Sequence, residues 1–288
     1  MSGDAKVQLV VSDLDGTFLA DDKSVPVENI SAVQLLKERG VQFTFCTGRP
    51  VAMIAAYMKQ ADVTLPVIGC NGGFIYDAQQ KSVLMAHTFE ADVLRTLVEY
   101  SFLHKLDFLA YTAETVFYSP NSKRVEVFHA YNERARETGC EEASLTVIAD
   151  EAQLVSKRIT KILITELHGN DLQHIARFLQ RVNTIECVPS TVDVLDIMPA
   201  GVTKGNAVKQ LAEHLGVALK NVCVFGDTTN DISMLACAGI SVCMANGTDD
   251  AKRAATCVTT KTNNDGGFAE GVHQFIFGDE MSAGKRDF

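Results

Sequence analysis

Two short stretches place paired carboxylates where chemistry can use them. In Val10-Val11-Ser12-Asp13-Leu14-Asp15-Gly16-Thr17, two aspartates two residues apart follow a run of valines. In Val224-Phe225-Gly226-Asp227-Thr228-Thr229-Asn230-Asp231, a second pair follows another apolar run, with a glycine at the exit. Each apolar run reads as a buried strand, and in an open α/β sheet the C-terminal edge of the strands is where ligands bind. If both strands lie centrally in one sheet, four aspartates converge on that edge. Like charges gathered there are driven to protonate unless something compensates them. A hard divalent cation with oxygen ligands resolves the conflict, and Mg2+ fits this donor set best. The plain alternatives are a solvated Asp-rich turn for the first pair alone, and a metal-free acidic cluster for all four.

Two further junctions carry groups suited to an anion. Thr47-Gly48-Arg49 follows the apolar run Phe43–Cys46 and combines a hydroxyl, a backbone N–H beside a glycine and a guanidinium. A strand-to-helix turn with those groups is a ready anion cradle, although Thr-Gly is also an ordinary helix-capping neighbourhood. Lys204, after Ala200-Gly201-Val202-Thr203, falls in the first turn of a helical pattern. A cation there opposes the helix dipole; a nearby anion would account for it, and a solvated surface lysine is the simpler reading. The pair Thr228-Thr229 has no chemical reading from sequence.

The elements that must hold these residues alternate short β-branched runs with longer helical periodicities, the pattern of βαβ units around a parallel sheet. Strands are expected at Val7–Val11, Val41–Cys46 and Val67–Gly69, with helices after Pro26 and over Val51–Lys59, then a hairpin of Phe74–Tyr76 and Val83–Met85. From Phe89 the character changes. Helices at Ala91–Lys105, Lys123–Thr138 and Asp171–Val182, with strands at Phe108–Tyr111, Val116–Tyr118, Ile159–Glu166 and Thr184–Val188, read as an α+β layer with an antiparallel sheet. The α/β rhythm then returns with strand Val194–Met198, helix Lys204–Leu215, strand Val222–Phe225, helix Ile232–Ala236 and strand Ile240–Met244. The expected fold class is α/β: a Rossmann-like parallel-sheet core formed by residues 1–85 and 190–288, with an inserted α+β cap domain at 86–189. The polar tail Asp279–Phe288 is expected to fray.

Composition narrows the function classes. The 288 residues are 47% hydrophobic and 22% charged, the balance of a globular protein. Acids outnumber bases 36 to 26, for a formal charge of −10, which argues against a nucleic-acid partner. The eight cysteines contain no C-x-x-C pair and read as reduced thiols packed as small hydrophobes, as in a cytoplasmic protein. No N-terminal leader pattern and no apolar run of about 20 residues is present, so no membrane partner is expected. There is no H-E-x-x-H, no G-x-S-x-G and no P-loop, which removes zinc-hydrolase, serine-hydrolase and P-loop readings. Lys123-Arg124 and Arg134-Ala135-Arg136 could meet a second anionic group on a substrate, but read more simply as a solvated helix face. Phe102, Phe108, Tyr111 and Tyr118 are expected mostly in the core of the insert.

Taken in order, Asp13-Leu14-Asp15-Gly16-Thr17, Thr47-Gly48-Arg49, Lys204 and Gly226-Asp227-x-x-Asn230-Asp231 resemble the four motifs of haloacid dehalogenase superfamily phosphohydrolases. Asn71-Gly72-Gly73, the large insertion between Thr47 and Lys204, and Ser233-Met234-Leu235 resemble the Cof-type branch, which carries a large α/β (type IIB-like) cap. The resemblance extends to about Phe277. It implies that Asp13 is the nucleophile that forms an aspartyl-phosphate, and that Asp15 protonates the leaving alcohol and then activates water. It implies Mg2+ held by Asp13, the Asp15 carbonyl and Asp227 with Asp231 close behind. It also implies that Leu14, Thr47, Gly48, Arg49, Lys204 and Asn230 contact the substrate, Thr47 and Lys204 being catalytic as well. An aspartate at position 15 favours phosphate esters over dehalogenation.

The function expected is a Mg2+-dependent phosphatase of small phosphorylated metabolites, sugar phosphates first among them, with the cap closing to exclude water. A phosphomutase using the same phospho-aspartate is the near alternative. A non-catalytic phosphate-binding or phospho-aspartate signalling module is the distant one. The sequence leaves monomer and homodimer open.

Overall fold

A computed structural model of the chain describes residues 7–167, 170–191 and 193–278; the tail from Asp279 onward lies outside the described residues. The chain forms two compact units, Met1–Thr47 with Val208–Phe288, and Gly48–Ala207.

The first unit is built on a five-stranded sheet in the order Cys257–Val258, Ile240–Cys243, Val222–Gly226, Leu9–Ser12, Gln42–Phe45. Every pairing is parallel. The two strands that precede the acidic motifs are neighbours, with Val11 opposite Val224 and Ser12 opposite Phe225. Both are buried throughout, which explains why they read as continuous apolar runs rather than alternating ones. The helix Val27–Glu38 starts at Pro26, whose fixed φ suits a helix entry, and the chain leaves it through Gly40 at φ 72°. Phe18, Phe43, Phe45, Phe225 and Phe268 form the aromatic part of the core, with ring centroids 4.7 to 5.6 Å apart, mostly tilted or edge-on.

The second unit carries a six-stranded sheet in the order Ile185–Thr191, Val194–Pro199, Lys161–Thr165, Asp107–Tyr111, Thr115–Tyr118, Ser144–Val147. Its pairings are antiparallel except the last, which is parallel. Side chains alternate faces along a strand, and here both faces are covered. Phe108, Ala110, Ile162 and Ile164 join Leu94, Leu97, Val98 and Ile175 on one side. Leu109, Tyr111 and Leu163 join Met53, Cys70, Phe74 and Phe128 on the other. Phe102 and Tyr118 pack against these two clusters, and Lys123, Arg124, Arg134 and Arg136 are exposed, Lys123 pairing with Glu166 and Arg136 with Glu142. A separate three-stranded antiparallel sheet joins Val67–Gly69, Phe74–Asp77 and Ser82–Ala86.

Two strands expected in the parallel sheet lie elsewhere. Val194–Pro199 pairs antiparallel with its sequence neighbour Ile185–Thr191 and with Lys161–Thr165. Val67–Gly69 pairs antiparallel with Phe74–Asp77. A short apolar run satisfies either kind of sheet, and a partner close in sequence is reached with the least loop-closure entropy. Segments 48–85 and 190–207, which the rhythm of the sequence groups with the core, belong to the second unit, because Met53, Cys70, Phe74 and Val194 share one apolar cluster with the six-stranded sheet. The strand Ser144–Val147 and the five-residue helix Glu151–Val155 are additional elements. All eight cysteines are free thiols, four of them buried. Among the described residues no helix is long and apolar enough to cross a membrane.

Candidate active site

In the first unit the chain leaves the Leu9–Ser12 strand at Asp13, whose N–H still donates to the Phe225 carbonyl at 3.0 Å. That bond carries the strand pairing one residue further and places the Asp13 side chain beside the exit of the neighbouring strand. The Leu14 carbonyl then accepts from Phe18 and Leu19 N–H at 3.0 and 2.8 Å, folding the chain into a tight turn with Leu14 fully buried. Gly16 sits at φ 79°, and a Cβ there would overlap Asp227 Oδ2. Only glycine gives both the left-handed backbone and the close approach. The turn is held from outside by Asn246 Nδ2, which donates to the Gly16 carbonyl at 2.8 Å, and by Asn29 and Asn263, which donate to the Phe18 and Leu19 carbonyls, each at 2.9 Å.

The carboxylates of Asp13, Asp227 and Asp231 each offer an oxygen within 4.8 Å of the others. Asp13 and Asp231 are buried and Asp227 is half-buried. Thr17 Oγ1, itself fully buried, donates to Asp227 Oδ1 at 3.1 Å and orients it. Asp231 Oδ2 accepts from the backbone N–H of Asp227 at 2.8 Å and of Thr228 at 3.0 Å, and the Asp231 N–H donates to the Thr228 side chain in a reciprocal capping box. Thr228, silent in the sequence, is thus the residue that starts the Thr229–Asp231 turn carrying Asn230. Three of the four motif aspartates converge. The fourth, Asp15, lies outside that group, and its carboxylate meets Lys23 Nζ at 2.8 Å. The turn at Gly16 rotates Asp15 to a half-exposed position, which two-residue spacing alone does not reveal.

Thr47 is buried and follows Cys46, whose N–H donates to the Ser12 carbonyl at 2.9 Å, so the strand carrying Thr47 ends beside the one carrying Asp13. Gly48, Arg49 and Lys204 fall in the second unit. There the Arg49 guanidinium lies over the Tyr57 ring at 5.1 Å and donates to the Tyr57 hydroxyl at 3.4 Å. Lys204 opens the helix Lys204–His214 and is only 1% exposed, which removes the reading of a solvated surface lysine. Cys70 and Asn71 hold consecutive left-handed conformations, φ 49° and 57°, each costing about 1 kcal/mol for a residue with a Cβ. Strain of that kind persists only where surroundings impose it. Thr17, Asn29, Asn246, Thr228 and Asn263 are residues of this region to which spacing assigned no role; Asn246-Gly247 just past the Ile240–Cys243 strand was one available signal, a turn dipeptide at the same sheet edge.

A parallel α/β unit with converging carboxylates at its strand ends, an added mixed sheet, and the order of the motifs define a hydrolase class, and comparison with known proteins agrees. Residues 10–271 match the family of haloacid dehalogenase-like hydrolases, and the chain belongs to that family. It is 28% identical over 280 residues to the 5-amino-6-(5-phospho-D-ribitylamino)uracil phosphatase YitU of Bacillus subtilis, covering 95% of this chain and 99% of that one. It is 29% identical over 271 residues to the pyridoxal phosphate phosphatase YbhA of Escherichia coli, covering 94% and 97%. The fold is shared with a haloacid dehalogenase-like hydrolase from Bacteroides thetaiotaomicron, at TM-score 0.79 and 24% identity over 94% of this chain and 100% of that one. It is shared also with a subclass IIB sugar phosphatase, at TM-score 0.79 and 20% identity over 94% and 99%. The protein is a phosphoric monoester hydrolase of the Cof-type branch of this superfamily.

Proposed function

We propose that the protein is a Mg2+-dependent phosphatase of small phosphorylated metabolites, sugar phosphates first among them, acting through a phosphoryl group carried on Asp13. The observation that carries this reading is the gathering of the Asp13, Asp227 and Asp231 carboxylates within 4.8 Å at the ends of adjacent strands. Three carboxylates in a half-buried site form an all-oxygen donor set that suits a hard divalent cation. Asp13, Asp227 and Asp231, with the Asp15 backbone carbonyl, would hold Mg2+, which offsets the carboxylate charge and polarises a phosphoryl oxygen when bound.

In the proposed reaction an Asp13 carboxylate oxygen attacks phosphorus, and the bond from phosphorus to the ester oxygen breaks in line. Asp15 gives its proton to the departing alkoxide. It then takes a proton from water as the water oxygen attacks the same phosphorus, which releases inorganic phosphate and restores Asp13. Lys204, the Thr47 hydroxyl, the Gly48 N–H and the Asn230 amide serve the phosphoryl oxygens, where charge redistributes in the transition state. Arg49 and the Leu14 backbone complete the substrate contacts. The inserted segment 86–189 acts as the cap that sets selectivity. The two relatives named for phosphorylated ribitylaminouracil and pyridoxal phosphate support small monoesters as the substrate class. The free thiols fit a cytoplasmic location.

Purified protein is expected to release phosphate from a small monoester with Mg2+ and to stop in excess chelator. Asp13→Asn should abolish release. Full activity in that variant, or undiminished activity in chelator, overturns the reading.

A further inference from the structure

The second unit contains a sealed polar network that the reaction scheme does not use. Lys161 Nζ lies 2.8 Å from Asp196 Oδ1, and Asn71 Nδ2 donates to Asp196 Oδ2 at 2.8 Å. The three side chains come from two paired strands and the turn after Val67–Gly69, and they are 3%, 1% and 2% exposed. The Lys161 ammonium also stands 5.5 Å from the centre of the Tyr111 ring. An ion pair buried this fully is at best neutral for stability when compared with apolar residues of the same volume. Stability alone therefore does not account for it.

What the network does that apolar residues could not do is aim polar atoms at one short stretch of backbone around Gly48. Lys161 Nζ donates to the Gly48 carbonyl at 3.1 Å. Asn71 Oδ1 lies 3.0 Å from the point a Cβ at Gly48 would occupy, so the amide packs directly on the Gly48 backbone. The next carbonyl, that of Arg49, accepts from the Cys70 N–H at 3.0 Å. The left-handed backbone at Cys70 and Asn71 is what turns that N–H and the Asn71 amide toward the same short segment.

We propose that Lys161, Asp196 and Asn71 are positioning residues that hold Gly48 in the backbone conformation that presents its N–H to a phosphoryl group. The proposal rests on the reading of Gly48 as a phosphoryl-binding N–H. Asp196 fixes Lys161 and Asn71, and these two fix the Gly48 backbone from opposite atoms. None of the three touches substrate, and each acts through the position of that backbone. A misplacement of about 1 Å at such a group can cost about 10²-fold in rate.

The test separates positioning from support of the fold. Lys161→Met leaves a buried carboxylate without its cation and is expected to unfold at lower temperature. The double variant Lys161→Met with Asp196→Asn removes both charges and keeps an oxygen for Asn71, so its melting temperature should recover. Its kcat on p-nitrophenyl phosphate should stay about 10²-fold down, inorganic phosphate should inhibit more weakly, and hydrogen exchange at the Gly48 and Arg49 amides should speed up. A double variant with recovered stability, wild-type kcat and unchanged exchange at those amides overturns the proposal. Should it fail to fold, Asn71→Gly keeps the left-handed backbone and removes the amide; lowered kcat at near wild-type stability supports the clamp, and wild-type kcat overturns it. Absence of phosphate release by the wild-type protein would refute the activity instead, and exchange at Gly48 and Arg49 in the same variants would still decide the clamp.

Discussion

Replacing Asp231 removes a carboxylate that does two separable things. Its Oδ2 accepts the Asp227 and Thr228 backbone N–H groups at 2.8 and 3.0 Å, and it is one of the three carboxylates within 4.8 Å. The side chain is fully buried, so Asp231→Ala strands two donors with no acceptor. Each such orphan costs about 1–3 kcal/mol, and entry of water into the vacated polar space lowers that toward the smaller figure. A loss of about 2–4 kcal/mol corresponds to a fall of roughly 4–16 °C in Tm for a domain of this size. Asp231→Asn behaves differently. Its amide oxygen can accept both N–H groups, so without metal the fall in Tm should be at most about a third of that seen for alanine, and relief of carboxylate repulsion works in its favour. Its deficit should appear on adding Mg2+, where a ligand at about 100 times its Kd stabilises by about 2.7 kcal/mol. The assay is thermal unfolding of wild type and both variants, with and without saturating Mg2+. An alanine variant as stable as wild type would refute the capping role, and an asparagine variant with the full Mg2+ shift would refute the metal role.

Three other outcomes follow from the same geometry. Gly16→Ala should lose about 1–2 kcal/mol from the left-handed backbone alone, and should lower kcat because its Cβ displaces the Asp227 carboxylate; equal kcat and Tm would contradict the turn as described. Thr17→Val should raise the Mg2+ concentration for half-maximal activity several-fold while costing about 1 kcal/mol, read from a metal titration and a denaturant curve, since it deletes the 3.1 Å bond that orients Asp227. Burial pushes the Cys70 thiol from 9.0 up to about 12. The folded state therefore keeps a proton that the unfolded chain gives up above pH 9. The stability it contributes is complete below pH 9 and is lost as pH rises toward 12, by about 1.4 kcal/mol per pH unit at most. Cys70 should resist alkylation at pH 8 in the native protein and react on unfolding.

The gathering of acidic side chains was legible where one chain segment carried both a strand and its carboxylate. The apolar runs before Asp13 and Asp227 are continuous because both strands are buried throughout, which marks each as a buried strand; that the two are neighbours, Val11 opposite Val224, is shown by the structure alone. Pairings between remote segments were not legible. Val194–Pro199 is apolar enough for either sheet, and only its register against Ile185–Thr191 decides. Lys161 and Asp196 are 35 residues apart, one at the start of a mostly apolar strand and the other within an apolar one, and nothing in either strand names the other. The Asp15 carboxylate was expected among the converging four because spacing says nothing of the left-handed Gly16 next to it, and in the structure it meets Lys23 instead. Glu151–Val155 is too short to show a helical period.

The most direct measurement is to acid-quench the enzyme during turnover of a small monoester, reduce with borohydride, and map the peptides. An acyl phosphate on aspartate is converted to homoserine, so homoserine at position 13 in wild type, and none in Asp13→Asn, is the expected result. Phosphate release continuing in Asp13→Asn, or homoserine at another carboxylate with Asp13 intact, would contradict the assignment of Asp13 as the group that carries the phosphoryl.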